Sequence, residues 1–254
     1  MKRTIAAVAC VLGGLFVGNA HHVSTRQPQK RVQKELSAAD KETRFVRDLM
    51  QKMTLTEKIG QLSQYVGGSL LTGPQSGALS DSLFVRGMVG SILNVGGVEN
   101  LRKLQEKNMQ SSRLKIPVLF AFDVIHGYKT IFPTPLAESC SWDLGLMFET
   151  AKAAAIEASA SGIHWTFAPM VDIARDPRWG RIVEGAGEDT YLACKIAETR
   201  VRGFQWNLGK PNSVYACAKH FAAYGAPQSG RLCSGRPFFV YFGRGLSASF
   251  QGLC

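Results

Sequence analysis

Apolar residues set the rhythm of this chain. Phe45, Leu49 and Met53 recur at helical spacing and predict a helix over 40–53. Thr54 or Thr56 is suited to cap a second helix running through Ile59 and Leu62. Residues 68–80 are rich in Gly and Ser and read as a loop. Beyond it the period alternates. VGSILNV (89–95) predicts a strand, and 98–109 a helix with Leu101, Leu104 and Met109 on one face. IPVLFAFD (116–123) predicts a buried strand ending in a carboxylate. An Ala-rich helix follows over 144–161, a strand over 164–170, a helix over 189–205 and a strand, VYACAKH, over 214–220.

Apolar strands alternating with helices predict an α/β fold with a parallel sheet. No GxGxxG or phosphate loop follows a strand, which argues against a dinucleotide fold. The notable polar residues, Asp123, Asp172 and the Lys219–His220 pair, fall at strand C-terminal ends. That is where a (β/α)8 TIM-type barrel builds its site. About four strands are expected, roughly the first half of such a barrel, and an incomplete barrel leaves a sheet edge open.

Composition narrows the partners. Of 254 residues, 30 are Lys or Arg and 19 Asp or Glu, a net charge of +11. Removing Lys2, Arg3, Arg236 and Arg244 from the count lowers it to +7, spread thinly along residues 21–231. A nucleic-acid surface needs clustered charge with interleaved aromatics, so no nucleic-acid partner is expected. Arg26 to Lys34 lies in a polar lead-in, 21–39, that reads as a solvated flexible arm. MKRTIAAVACVLGGLFVGNA has a basic start, an apolar stretch and small residues before His21. It reads as a signal peptide over 1–20, cleaved after Ala20, so export to a periplasm or beyond is expected. The apolar run is shorter than the roughly 18 residues that span a bilayer, and no membrane span is expected after cleavage. Of six cysteines, Cys10 leaves with the signal and Cys233 and Cys254 lie in an anomalous tail. Cys140, Cys194 and Cys217 remain, an odd, widely spaced set with no metal spacing, read as small buried hydrophobes.

Two stretches carry chemistry. RDPRWGRIVEGAGED (175–189) packs seven charges into fifteen positions around Pro177, Trp179 and three glycines. It is too polar for core and too aromatic for a linker, so it reads as a structured loop holding fixed charges around a polar ligand. KHFAAYG (219–225) follows. Both resemble the sugar-binding loops of family 3 glycoside hydrolases, the β-glucosidase group, and the resemblance runs from about Asp40 to Arg231. It implies an exported hydrolase of β-glucosides, working on O-glycosidic bonds without cofactor or metal.

AFDVIHGYKTIFP (121–133) resembles the family segment with a substrate-binding aspartate, here Asp123. On the residues alone Asp123 reads as a helix cap; the resemblance turns it into an acceptor for vicinal hydroxyls. Arg181, ending DPRWGR, matches the position that donates to sugar hydroxyls. Arg175 and Arg178 read as loop salt bridges to Asp172, Asp176 or Glu188. Lys219 and His220 match the family's Lys–His pair. An isolated KH dipeptide would be a surface lysine beside a satisfied histidine, and FAAYG raises the specificity. Adjacent strand residues point to opposite faces, so both reach one ligand only if the backbone departs from strand geometry. His126 and His164 read as structural. Trp142, Trp165 and Trp179 could stack on a sugar, with buried packing expected for at least two.

A retaining glycosidase needs two carboxyl groups roughly 5 Å apart. In the family the nucleophile is an aspartate on a later strand, in a segment like VSDW, and the acid/base comes later still; neither occurs here. The resemblance therefore makes the chain an enzyme by family, with no catalytic residue present and no turnover expected of it alone. The alternative is a non-catalytic carbohydrate-binding remnant. Family members usually continue after GGR with a segment like DYNTVDMSxxTLxExYLPPFKA. Here SGR (229–231) is followed by 232–254, which hold no Asp, Glu, Lys or His but four Phe and two Cys. Back-translation in a shifted frame admits D-Y-x-x-V-D-L-S-x-x-T-L-x-E-V-Y-L-P-P-F-R-A. The tail is therefore expected to be a non-native, frameshifted continuation. Resequencing the gene around codon 231 should recover the family pattern in another frame; an intact frame with no such pattern elsewhere would defeat this.

Overall fold

The computed structural model describes residues 37–67 and 79–226. The expected signal peptide, most of the polar arm, most of the Gly/Ser loop and the tail lie outside them. The chain divides into two units at residue 46. Of the first, the described part is the opening of helix α1 (Ala38–Lys52), whose Asp40 carboxylate accepts from the Ser37 hydroxyl at 2.7 Å. No residue of α1 is buried.

The second unit is built on five parallel strands: β1 (Gln64–Val66), β2 (Ser91–Leu93), β3 (Leu119–Phe122), β4 (Trp165–Thr166) and β5 (Tyr215–Ala216). Neighbours in the sheet are neighbours in sequence, and every pairing is parallel. Each crossover therefore steps the same way. Right-handed crossovers then put their helices on one face, which is the winding of a barrel wall. A dinucleotide fold instead reverses direction part-way. The chain thus forms part of a TIM-type barrel.

The expected helices are present: α2 (Leu55–Gln61), α4 (Val98–Ser111), α6 (Leu144–Ala160) and α7 (Thr190–Phe204). Two short ones were not foreseen, α3 (Asp81–Val85) and α5 (Pro135–Ser139). Pro135 opens α5 at its first turn, where a missing N–H costs nothing. The fifth strand is β1, three residues with a polar start that no alternation marks. Strands β2 to β5 are shorter than expected. After β4, Pro169 has no N–H to give a ladder, and Met170 pairs with Lys219 only as an isolated bridge.

Ile92, Phe120, Ala121, Val124, Ile163, Phe204 and the buried alanines of α6 form the core. Small residues bring α6 and α7 together: a Cβ on Gly203 would sit 2.7 Å from the Ala151 Cβ and the Phe148 carbonyl.

Two charged networks fix the loops. Thr54 and Glu57 form a capping box at the start of α2. Arg113 closes on the same carboxylate at 3.1 and 2.7 Å and donates to the Lys52 carbonyl at 2.8 Å. The Arg113 hydrogen bonds, then those of Thr54, pull the Glu57 carboxyl from 4.5 down to about 2. Deeper in, Arg200 of α7 pairs with Glu138 of α5, both side chains about 95% buried, and donates to the Ile125 carbonyl at 2.5 Å. Burial pulls the Arg200 guanidinium below its usual range. This pair pins the segment that follows β3.

Glu57 has a folded pKa below its ordinary one, so its contribution is full above about pH 4.5 and is lost as pH falls towards 2. The gap in urea midpoint between the natural chain and Glu57→Gln should be constant near pH 6, shrink below pH 4.5 and close near pH 2. Arg200→Met strands a buried carboxylate and should destabilise by about 3 kcal/mol in urea unfolding; a loss under 1 kcal/mol would mean the pair carries little.

Candidate functional site

One rim of the sheet holds a cavity of about 1050 Å³. Asp123 reaches it from the end of β3, Arg181 and Glu184 from the loop beyond β4, and Lys219 and His220 from the segment after β5. All four residues singled out in the sequence, Asp123, Arg181, Lys219 and His220, therefore meet on one surface. The Lys219–His220 peptide is cis, and the two adjacent side chains line the same cavity.

Each charge there is matched. The Lys219 ammonium donates to Asp123 Oδ1 at 2.8 Å and lies 5.8 Å over the Phe167 ring. Arg181 grips Glu184 with a two-pronged fork, Nε to Oε1 at 2.8 Å and Nη2 to Oε2 at 2.6 Å. Its guanidinium also lies 5.4 Å from the Tyr224 ring centre. Glu184 first, with Tyr224 adding, pushes the Arg181 guanidinium above its ordinary range. In return Arg181, then Lys219 and His220, hold the Glu184 carboxyl below its usual range against the opposing effect of burial. His220 Nδ1 lies 2.8 Å from Asp172 Oδ2, which also accepts from the His220 backbone N–H at 3.2 Å. The Tyr224 ring meets His220 edge-on at 4.6 Å.

The charged loop contains a short 3-10 turn, Ile182–Glu184, which places Glu184 three residues past Arg181 on the same side. It is less solvated than its composition suggests. Trp179 and Asp176 are buried, and Met170, Ala174 and Trp179 form a small apolar cluster flanked by Ile182 and Tyr224. Arg178 closes on Asp176 at 2.9 and 2.6 Å, the loop salt bridge expected for it. The backbone N–H of Arg175 donates to the Gly225 carbonyl at 3.3 Å. A Cβ on Gly225 would meet the Ile173 carbonyl at 2.4 Å, which explains the glycine that ends KHFAAYG.

Several readings change. Arg181 is both a cavity residue and a salt-bridged loop residue, not one or the other. Glu184 was not singled out, although its Arg-x-x-Glu spacing carries the signal. His126 lines the cavity, with Nδ1 at 3.0 Å from the Phe132 carbonyl, rather than serving packing alone. His164 is structural as expected: Nδ1 accepts from the Phe120 N–H at 3.0 Å and its ring stacks on that of Phe120 at 5.8 Å. Trp179 is buried, Trp165 half-buried and Trp142 exposed at 73%, so buried packing holds for one of the three, and none lines the cavity. The cysteines are not uniformly buried. Cys140 is exposed, Cys194 and Cys217 are half-buried, and Cys217 lines the cavity. Burial raises the Cys194 and Cys217 thiols.

Chemically the cavity is a set of oriented donors and acceptors. Among the described residues its two carboxylates, Asp123 and Glu184, are each held by a cation, and no group of three His, Cys, Asp or Glu side chains is placed to hold a metal. No helix among them is long and apolar enough to cross a membrane.

The profile of the glycosyl hydrolase family 3 N-terminal domain matches residues 54–232. Over 189 residues the chain is 43% identical to the periplasmic beta-glucosidase of Salmonella typhimurium, covering 74% of this chain and 24% of that protein. A lysosomal beta glucosidase of Dictyostelium discoideum is 30% identical over 245 residues, covering 80% of this chain and 29% of that one. The crystal structure of a Listeria innocua beta-glucosidase in complex with isofagomine superposes with a TM-score of 0.67 at 41% identity, over 74% of this chain and 27% of the other. The chain spans about a quarter of the length of these relatives. Through the N-terminal domain of that family, the chain belongs to glycosyl hydrolase family 3.

Proposed function

We propose that this cavity is the sugar-binding end of a β-glucosidase site. Asp123, Arg181, Lys219 and His220 hold the hydroxyls of a β-glucoside, and the whole enzyme cleaves its glycosidic bond. One observation carries the reading: residues from three separate strand ends converge as paired donors and acceptors on one cavity. A neutral polyhydroxyl ligand suits such a lining. Asp123 Oδ2 and the remaining Arg181 and Lys219 N–H groups offer directed hydrogen bonds, and no bare charge asks for an anionic partner. Another crystal structure of the Listeria innocua beta-glucosidase, in complex with glucose, supports the choice of sugar. Export supports it too, through the signal-like residues 1–20 and the periplasmic relative.

A polypeptide of this sequence alone binds without cleaving. A retaining mechanism needs a free nucleophilic carboxylate with an acid/base about 5 Å away. Asp123 and Glu184 are both committed to cations. This favours the second reading, in which the chain by itself acts as a carbohydrate-binding unit.

Titration calorimetry of the full chain with glucose should give binding near 1 mM, about −4 kcal/mol. Lys219→Met, which also leaves Asp123 unpaired, should weaken it by roughly tenfold. The absence of heat with glucose and other β-glycosides would overturn the sugar site. Hydrolysis of an aryl β-glucoside by a verified sample of this polypeptide would overturn the inactivity.

A further inference from the structure

Asp172 is the one carboxylate at the site whose side chain is wholly buried, and it does not line the cavity. Its Oδ2 accepts from the backbone N–H of His220 at 3.2 Å and meets His220 Nδ1 at 2.8 Å. Its Oδ1 has no hydrogen-bond partner among the described residues. A buried carboxylate is costly unless hydrogen-bonded. Here His220 supplies that compensation, from its ring and from its main chain. The dependence is mutual, because His220 Nδ1 is held by the same oxygen.

We infer that Asp172 is a positioning residue that fixes His220 as the Nδ1–H tautomer, so that the ring presents Nε2 to the cavity as an acceptor. In a neutral imidazole one nitrogen donates and the other accepts, and the partner of one sets the role of the other. Oδ2 already acts as an acceptor towards the His220 backbone, and a carboxylate oxygen accepting twice requires the ring to donate through Nδ1. Nε2 is then left with a lone pair. The Tyr224 ring, edge-on at 4.6 Å, limits rotation from the other side. The consequence is specific. Lys219 and Arg181 bring donors to the cavity, while the acceptors Asp123 and Glu184 are partly used by those cations. His220 Nε2 supplies an uncharged acceptor for a ligand hydroxyl. Asp172 does not touch the ligand and acts through the histidine.

This inference deepens the proposed sugar site and rests on it for the ligand, but the tautomer can be read without any sugar. In the full chain with ¹⁵N-labelled histidine, the nitrogen spectrum of His220 should show a protonated Nδ1 and an unprotonated Nε2. Asp172→Asn should convert the ring to a mixture of tautomers and weaken glucose binding by roughly five- to tenfold, the loss of one net hydrogen bond. Asp176→Asn, at another buried loop carboxylate that instead holds Arg178, should leave the His220 spectrum unchanged. A natural chain with His220 protonated on Nε2 would overturn the inference, and this measurement stands even where Asp172→Asn does not fold. So would an Asp172→Asn chain with the natural tautomer and natural affinity, or an Asp176→Asn chain with the same spectral change. A natural chain that binds no sugar yet shows the Nδ1–H tautomer would sink the sugar site and keep the positioning role.

Discussion

Because the five strands are parallel and follow one another across the sheet, every strand delivers its C-terminus to the same rim. Arg181 and Glu184 arrive on the long loop after β4, but Asp123, Asp172, Lys219 and His220, from three stretches far apart in sequence, need no long loop to meet. The strand spacing of about 4.8 Å brings them together. Asp123 follows β3 and Lys219 follows β5, two strands away, close enough for a long lysine side chain to span. His220 and Asp172 follow the neighbouring strands β5 and β4, and a shorter imidazole closes that gap. The match between side-chain length and strand separation makes the site a product of the winding, and the loops then refine it.

Behind the rim the same economy recurs. The segment after β3 is tied from below by Arg200 to the Ile125 carbonyl. It is tied from the side by Glu157, whose carboxylate takes the N–H groups of Lys129 and Thr130 at 2.8 Å and the Thr130 hydroxyl at 2.6 Å. Thr130 and then Lys129 hold that carboxyl below its ordinary range. The loop after β4 is held by its internal Arg178–Asp176 pair and by the close passage of Gly225 against Ile173. The side chains that line the cavity therefore rest on loops tied down by hydrogen bonds of their own.

The alternation of period along the sequence was enough to place every long helix and four of the five strands, even though α1 buries none of its residues. Strand β1 escaped it. Three residues beginning with Gln64 leave no period to read, and its pairing is decided by β2. Asp123, Lys219 and His220 were legible as polar residues ending apolar runs. Arg181 and its companion Glu184 were legible only in part: the sequence shows a charged loop, and the 3-10 turn decides which cation meets which anion. The burial of Asp176 could not be read from a segment so rich in charge and glycine, nor could the choice of Trp179 as the buried one of the three tryptophans. That choice depends on Met170, Ala174 and Tyr224 arriving from either side of the loop.

The internal pairing of charge explains how a rim that carries Arg181 and Lys219 would serve the neutral ligand proposed for it. A free guanidinium in a half-closed cavity would lose hydration each time a ligand entered, and an uncharged hydroxyl cannot return that energy. Once Glu184 binds two N–H groups of Arg181, the charge is answered before the ligand arrives, and the remaining N–H groups point along a fixed fork. The same holds for Lys219 on Asp123, whose second oxygen stays available. His220, backed by Asp172, extends the principle from charge to polarity: its outward nitrogen can be chosen as an acceptor only because its inward one is already committed. In the proposed site, recognition of hydroxyls then becomes a matter of direction more than of net charge, which is what discrimination among sugars differing in a single hydroxyl orientation requires.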